Sequence, residues 1–428
     1  MQFTSTSDSR VTVSLTDAVA RPLASGGALY MPEAIPIIPR ALFNNIEGMS
    51  LRDIAYVVAT SFLGPEVSPS ELKNIVDFAF GFEAPLRRLN HDTFVLELYH
   101  GPTLTFKDYG ARFMARLLDV LEPDCKRTIM VATTGNTGAA TANGFVGSKD
   151  AKVLVLFPKG RLSRPQMAQI SALGGNIYPV EVTGSVEDCK RLMAMALAAD
   201  ELKMFNITAA NSINVARLIP QIAFAMYAYA RLRELEVPDA EHAIYGIPAG
   251  NLSNVVATAM AFVAGMPLGK IVGVTNENAA FGKVLNGEPC ETTPVHTLAP
   301  SIDMAYPSGW PRLQVMLEQN PRLKDVIESV TVPDVVIADT INEVRRVYGY
   351  TLDPHSAAAY AGVNGMKGGP KVVFATGHPA KQLNIMTKIT GSAIELPVQL
   401  TRFMNIKRPP IRIAPTLPAL RKLMHTLN

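Results

Sequence analysis

Three cysteines in 428 residues, Cys125, Cys189 and Cys290, are few, odd in number and never in a CxxC spacing. That argues against a disulfide framework and a structural zinc site, and for a reducing compartment. Neither sign of charge prevails. Forty Lys and Arg against 37 Asp and Glu leave +3, and no basic run is dense enough to suggest nucleic acid or a membrane surface. Apolar stretches are short: Ala223–Ala230 runs into charged residues, well below the ~20 residues that a membrane span needs. The opening MQFTSTSDSR has no basic region followed by an apolar core, so no secretory signal is expected and a cytoplasmic location is. Repeats and low-complexity segments are missing as well. So are a GxGxxG after a strand, GxxxxGK[ST], GxSxG and HExxH. Seven histidines are spread out with no two at the spacing of a metal pair, and no metal site is expected. They read as solvated or core residues, with His100, His355 and His378 set apart by the Gly or Pro beside each.

What is present is a chain long enough for two or three domains, 48% hydrophobic and 18% charged, which suits a soluble α/β protein with a large core. From about residue 94 a pattern repeats: a short apolar or β-branched run, a loop of Gly, Asn, Thr or Pro, then a helix-forming segment. Thr128–Ala132 leads into TTGNTGAA, Lys152–Phe157 into PKGRLSRPQ, Ala243–Ile247 into PAGNLSN, Lys270–Thr275 into NENAA, and Lys371–Ala375 into TGHPAK. Strands separated by helices predict parallel sheets, whose ligands bind beyond the C-terminal strand ends where these loops lie. The first ~90 residues read as a mainly helical lead-in with Pro-rich breaks, and Leu51–Phe62 as a core helix.

Four loops bear groups capable of chemistry. In HGPTLTFKDYG, His100 to Gly110, Lys107 stands at the start of an expected helix Tyr109–Leu121. A lysine amine titrating near ~10.4 is a poor nucleophile unless apolar neighbours such as Phe106 and Tyr109 desolvate it; equally, Lys107 reads as a helix-start lysine pairing with Asp108. TTGNTGAA, Thr133–Ala140, offers amides at a helix start to a carboxylate or phosphate, or is a plain capped turn. PAGNLSN, Pro248–Asn254, is a phosphate cup or another capped helix start. Thr376 in TGHPAK ends a strand, facing a ligand or capping a turn.

All four occur in a fixed order, and there the chain resembles a known family. LELYHGPTLTFKDYGARFMA, Leu96 to Ala115, is similar to the most distinctive segment of threonine synthases, whose corresponding lysine carries pyridoxal phosphate covalently. GGALYMPEAIP precedes it; GNTGAA, FPKG..S..Q, LGGNI, NSINVARLIPQ, PAGN, VTNEN, SIDMAYPSGWPR, DPHSAAAY and TGHPAK follow in order, so the likeness covers essentially the whole chain.

The resemblance implies the fold of the tryptophan synthase β-subunit, pyridoxal-phosphate fold type II: two open twisted α/β domains with the cofactor in the cleft, plus the lead-in. Residues 1–95 would be the lead-in, 96–215 a smaller domain with the lysine and carboxylate loop, and 216–390 a larger domain with the phosphate loop. Residues 391–428 would pack on the larger domain. Lys107 would hold the cofactor beside Phe106 and shuttle protons. Asn136 would face the cofactor's phenolic oxygen, Gly250, Asn251, Leu252, Ser253 and Asn254 would cradle its phosphate, and Thr376 would meet its pyridine nitrogen. The substrate carboxylate would fall to Thr134, Gly135 and Thr137, and a substrate phosphate to Lys159, Arg161 and Ser163, with Asn214 and Arg217 beside them.

The chain also departs from the family. Asn136 stands where many long-form members have an acid. In PAGNLSN, Ala249 replaces a serine, Leu252 an aromatic, Ser253 a glycine and Asn254 an acid; Gly309 stands where Asn is frequent. The expected reaction is O-phospho-L-homoserine plus water to L-threonine plus phosphate. A phospholyase giving a 2-oxo acid or another elimination or replacement enzyme on this scaffold is the alternative, ahead of a cofactor-free binding protein. A small amino acid is the expected partner, without nucleic acid or membrane, for a monomer or homodimer.

Overall fold

The computed structural model describes residues 1–404, 406 and 408–427. Two parallel α/β units carry most of the chain. The larger holds a six-stranded sheet in the order Ile327–Thr331, Lys270–Thr275, Ile244–Pro248, Lys371–Ala375, Thr93–Glu97 and Leu86–Arg88. All neighbours run parallel except the last, which pairs antiparallel. The smaller unit holds five parallel strands in the order Ile411–Ile413, Ile177–Val182, Ala151–Pro158, Arg127–Ala132 and Ile207–Ala209. The inner strands are buried and mostly apolar, with polar residues such as Thr93, Arg127 and Lys371 near their ends, because helices cover both faces.

Each sheet reverses its winding once. In the larger, the chain steps outward from Ile244–Pro248 to Lys270–Thr275 and Ile327–Thr331, then returns to place Lys371–Ala375 on the other side of Ile244–Pro248. In the smaller, it steps from Arg127–Ala132 through Ala151–Pro158 to Ile177–Val182, then places Ile207–Ala209 on the other side of Arg127–Ala132. At such reversals the loops after the two strands part and leave a crevice. The loops concerned are 249–254 with 376–381, and 133–137 with 210–217.

Three features go beyond the expectations. The lead-in is mainly helical, as expected, with Leu51–Leu63 carrying a Ser50–Asp53 capping box, and it also contains a three-stranded antiparallel sheet. Its strands, Thr12–Val13, Phe3–Ser5 and Tyr30–Pro32, are two or three residues long, too short for alternation to show. Strand Thr93–Glu97, expected to close the lead-in and open the smaller unit, instead pairs with Lys371–Ala375 in the larger sheet. The C-terminal segment divides. Met386 packs in the larger unit, whereas Ile411–Ile413 extends the smaller sheet at Ile177–Val182, and Leu420, Leu423 and Met424 pack with Cys189 and Leu192. Apolar strand and helix faces find whatever edge is open, and that edge is in the smaller unit. No helix among the described residues is long and apolar enough to cross a membrane.

Candidate active site

Lys107 opens the helix Lys107–Leu121, and the segment before it is folded back to meet the end of strand Lys371–Ala375. Thr105 bridges Gly377, the Phe106 amide donates to the Thr376 carbonyl at 3.1 Å, and the His378 amide donates to the Leu104 carbonyl at 3.1 Å. This pairing sets Lys107 and Thr376 side by side. The loop is closed from within: Asp108, fully buried, accepts from the Thr103 amide at 2.8 Å and the Thr103 hydroxyl at 2.6 Å. Gly101 is needed there, since a Cβ would lie 2.5 Å from the Asp108 carboxylate.

Asp108 is thereby unavailable to Lys107, and a pairing of the two is excluded. The Lys107 amine has no hydrogen-bond or ion-pair partner among the described residues; its neighbour is the Phe106 ring, 4.5 Å from Nζ to the centroid. Burial first, and the positive field of Arg217 second, bring its pKa down to about 8, against the opposing pull of Asp353 and Asp108. About half of the amine is therefore free base at pH 8, where a lysine in water is almost wholly protonated.

The two loops of the larger unit differ in use. Leu252 takes the left-handed conformation (φ 62°) and stands at the start of helix Ser253–Val263 without capping it. None of the amides from Gly250 through Asn254 donates to an acceptor among the described residues, the Ser253 hydroxyl is unpaired, and the buried Asn254 Oδ1 has no partner. The loop is held from outside. Ser308 donates to Asn251 Oδ1 at 3.0 Å, and the Gly309 amide donates to the Asn251 carbonyl at 3.1 Å. Thr376, at the end of the adjacent strand, is nearly buried and its hydroxyl is unpaired.

In the smaller unit Gly135 (φ 128°) begins helix Asn136–Phe145. The Thr133 hydroxyl accepts from the Gly135 amide at 2.9 Å and the Gly138 amide at 3.0 Å, which leaves the amides of Thr134, Asn136 and Thr137 unspent. Asn136 Nδ2 donates across the cleft to the Ser301 hydroxyl at 3.4 Å, while its buried Oδ1 has no partner. Ser301 is positioned in turn, its amide donating to His355 Nε2 at 2.9 Å. His355 Nδ1 faces Asp353, buried and with its pKa lowered despite burial by the His355 and Ser356 contacts. The Asp353 carboxylate orients the His355 ring toward the Ser301 amide.

The remaining candidates divide sharply. Lys159 and Arg161 are exposed on the turn before helix Arg164–Ser171 and unpaired. Ser163 is that helix's cap, its hydroxyl accepting from the Gln166 amide. Asn214 and Arg217 are bonded within the framework. Asn214, fully buried, donates to the Val19 carbonyl at 2.8 Å and the Ala209 carbonyl at 3.2 Å. Arg217 donates to Thr141 at 3.2 Å, the Ala210 carbonyl at 2.6 Å and the Lys107 carbonyl at 3.3 Å. Residues to which the sequence assigned no site role are Asp108, Gln169, Ser301, Asp353 and Lys381. All but Gln169 lie within the quoted motifs, but only the fold shows where they point.

Comparison with known proteins adds the following. The family described as pyridoxal-phosphate dependent enzyme matches residues 82–377, and the one described as threonine synthase N terminus matches residues 2–80. A threonine synthase of Escherichia coli is 31% identical over 428 residues, covering 99% of each chain; one of Haemophilus influenzae is 32% identical over 394 residues, covering 91% of each. The crystal structure of the Escherichia coli protein superposes with a TM-score of 0.93 at 30% identity over 100% of both chains. That of a pyridoxal-phosphate-bound threonine synthase from Brucella melitensis superposes with 0.91 at 28% identity, over 100% of this chain and 99% of that one.

Proposed function

This chain belongs to the threonine synthase family of pyridoxal-phosphate-dependent enzymes, and we propose that it converts O-phospho-L-homoserine and water into L-threonine and phosphate. The observation that supports this most is the set of groups gathered around one amine. Lys107, beside Thr376 at one winding reversal, is desolvated and without a partner among the described residues, and the loops at both reversals hold unspent donors. The residues present fit pyridoxal phosphate. Lys107 would hold its carbonyl carbon, the amides of Gly250, Asn251, Leu252, Ser253 and Asn254 its phosphate, Asn136 its phenolic oxygen and Thr376 its pyridine nitrogen. When bound, the cofactor supplies an electron sink for carbanion chemistry at the substrate's α- and β-carbons.

The chain's own residues do the rest. The amides of Thr134, Asn136 and Thr137, at a helix start, receive the substrate carboxylate. Lys107, displaced by the substrate's amine, is a free base held at the reacting carbons, where it takes up the α-proton and later returns one. Phe106 shields it from water. The Asp353–His355 pair fixes Ser301, whose hydroxyl holds the Asn136 side chain across the cleft.

The test is to incubate the cofactor-loaded enzyme with O-phospho-L-homoserine and identify the amino-acid product directly. Threonine with stoichiometric phosphate is expected. Phosphate with 2-oxobutyrate and no threonine would replace the proposal with a phospholyase.

A further inference from the structure

Lys381 ends the TGHPAK loop, in the turn Pro379–Gln382 beyond strand Lys371–Ala375. Only 4% of it is exposed, and its ammonium donates to Oε1 of Gln169, which is 2% exposed and comes from helix Arg164–Ser171 of the other unit. This contact joins the two α/β units beside the cleft. It also leaves an imbalance. An ammonium has three donors and a primary amide two. Among the described residues Lys381 has no other acceptor, and the buried Gln169 Nε2 has no partner. Four N–H donors are therefore unmet at one buried spot, with Gln169's only acceptor already used.

No carboxylate stands within ion-pair distance of Lys381 among the described residues. Asp108, whose field reaches it, has both oxygens on Thr103. Burial lowers the Lys381 pKa to about 7, and the nearby Lys107 adds to the effect. Buried donors without acceptors are costly and are retained where a ligand meets them. A cluster of unmet N–H donors that includes a lysine whose charge a bound anion would favour suits a multivalent oxyanion.

Two phosphates belong to the proposed chemistry, the cofactor's and the substrate's. The first has its own set of free amides at Gly250–Asn254. Resting on the reading of the substrate given above, we propose that Lys381 and Gln169 bind the substrate's phosphate and stabilise it as it leaves the γ-carbon. As the β-proton is removed, its bonding pair forms a double bond between the β- and γ-carbons, the γ-carbon–oxygen bond breaks, and that bond's electron pair departs on the phosphate oxygen. Lys381 and Gln169 donate hydrogen bonds to that growing charge and transfer no proton. The exposed Lys159 and Arg161, in contact with water, are left to attract the anion to the cleft.

The experiment is calorimetric titration of inorganic phosphate into the cofactor-loaded enzyme and its Lys381→Met, Lys381→Arg and Gln169→Leu variants. Cofactor retention and KM for O-phospho-L-homoserine are measured on the same preparations. Lys381→Met is expected to weaken phosphate binding and raise KM by about tenfold or more, the scale of one charge-assisted contact, with cofactor retention and L-threonine binding within about twofold of wild type. Gln169→Leu shifts both in the same direction by less. Lys381→Arg, which keeps the charge, recovers part of the phosphate binding and shows that the site still folds. Unchanged phosphate affinity in Lys381→Met overturns the proposal. So does selective loss of pyridoxal phosphate, which would assign the cluster to the cofactor. If phosphate binding depends on Lys381 but O-phospho-L-homoserine is not turned over, the cluster stands and the substrate reading falls.

Discussion

At the scale of single residues, the site is defined by which polar groups are spent and which are not. Asp108 and Arg217 flank Lys107 in sequence or space, and both are committed elsewhere: Asp108 to the Thr103 loop, Arg217 to three oxygens including the Lys107 carbonyl. Lys107 alone is left over. Its pKa of about 8 gives a kinetic expectation with a definite sign. Only the unprotonated amine attacks a carbonyl, so the apoenzyme's rate of pyridoxal phosphate capture should rise with pH and level off above about 8. Stopped-flow absorbance at several pH values checks this; a rate still climbing near ~10, as for an ordinary lysine, would contradict it. Arg217→Met should remove the donor to the Ala210 carbonyl and lower the unfolding free energy by about 1–3 kcal/mol, read from denaturant titration. The sequence made Lys107 a candidate through its motif. It could not separate Arg217 from a ligand-binding arginine, because the difference is the set of carbonyls that the fold brings to it.

The loops were the most legible elements. Lys270–Thr275 and Lys371–Ala375 are strands with the expected ends, and TTGNTGAA, PAGNLSN and TGHPAK follow strands as the apolar-run-then-loop pattern predicted. Periodicity shows where a strand ends, but it does not show what supports the loop beyond it. That support comes from residues about fifty positions away. A Cβ on Gly309 would lie 2.4 Å from the Asn251 carbonyl, and one on Gly250 3.0 Å from the Ser301 carbonyl. Gly309→Ala should therefore push the phosphate loop out of shape and raise the dissociation constant for pyridoxal phosphate by about tenfold, measured by fluorescence titration. Ser253→Ala should cost about one hydrogen bond to a charged group, ~1.5–3 kcal/mol in the same titration. Retention of full affinity in both variants would assign the loop another role.

For the whole molecule, parallel α/β architecture followed from the alternation of apolar runs and helices. The assignment of chain ends did not, because an edge strand of three residues has no periodicity of its own. Ile411–Ile413 and the helix Leu417–Leu427 complete the smaller sheet. Deleting residues 410–428 should strip hydrogen-exchange protection from Ile177–Val182 while leaving Lys270–Thr275 protected; equal loss in both would contradict this division. The same architecture brings two lysines with lowered pKa values into one cleft, Lys107 at about 8 and Lys381 at about 7. They have opposite surroundings. Lys107 has no polar partner among the described residues, whereas Lys381 is tied to Gln169 across the two units. The central claim is that the first carries the cofactor. Borohydride reduction of the cofactor-loaded enzyme, digestion and mass-spectrometric mapping of the pyridoxyl group test it most directly. The account predicts the label on Lys107 alone; a label on Lys381, on another lysine, or on none would contradict it.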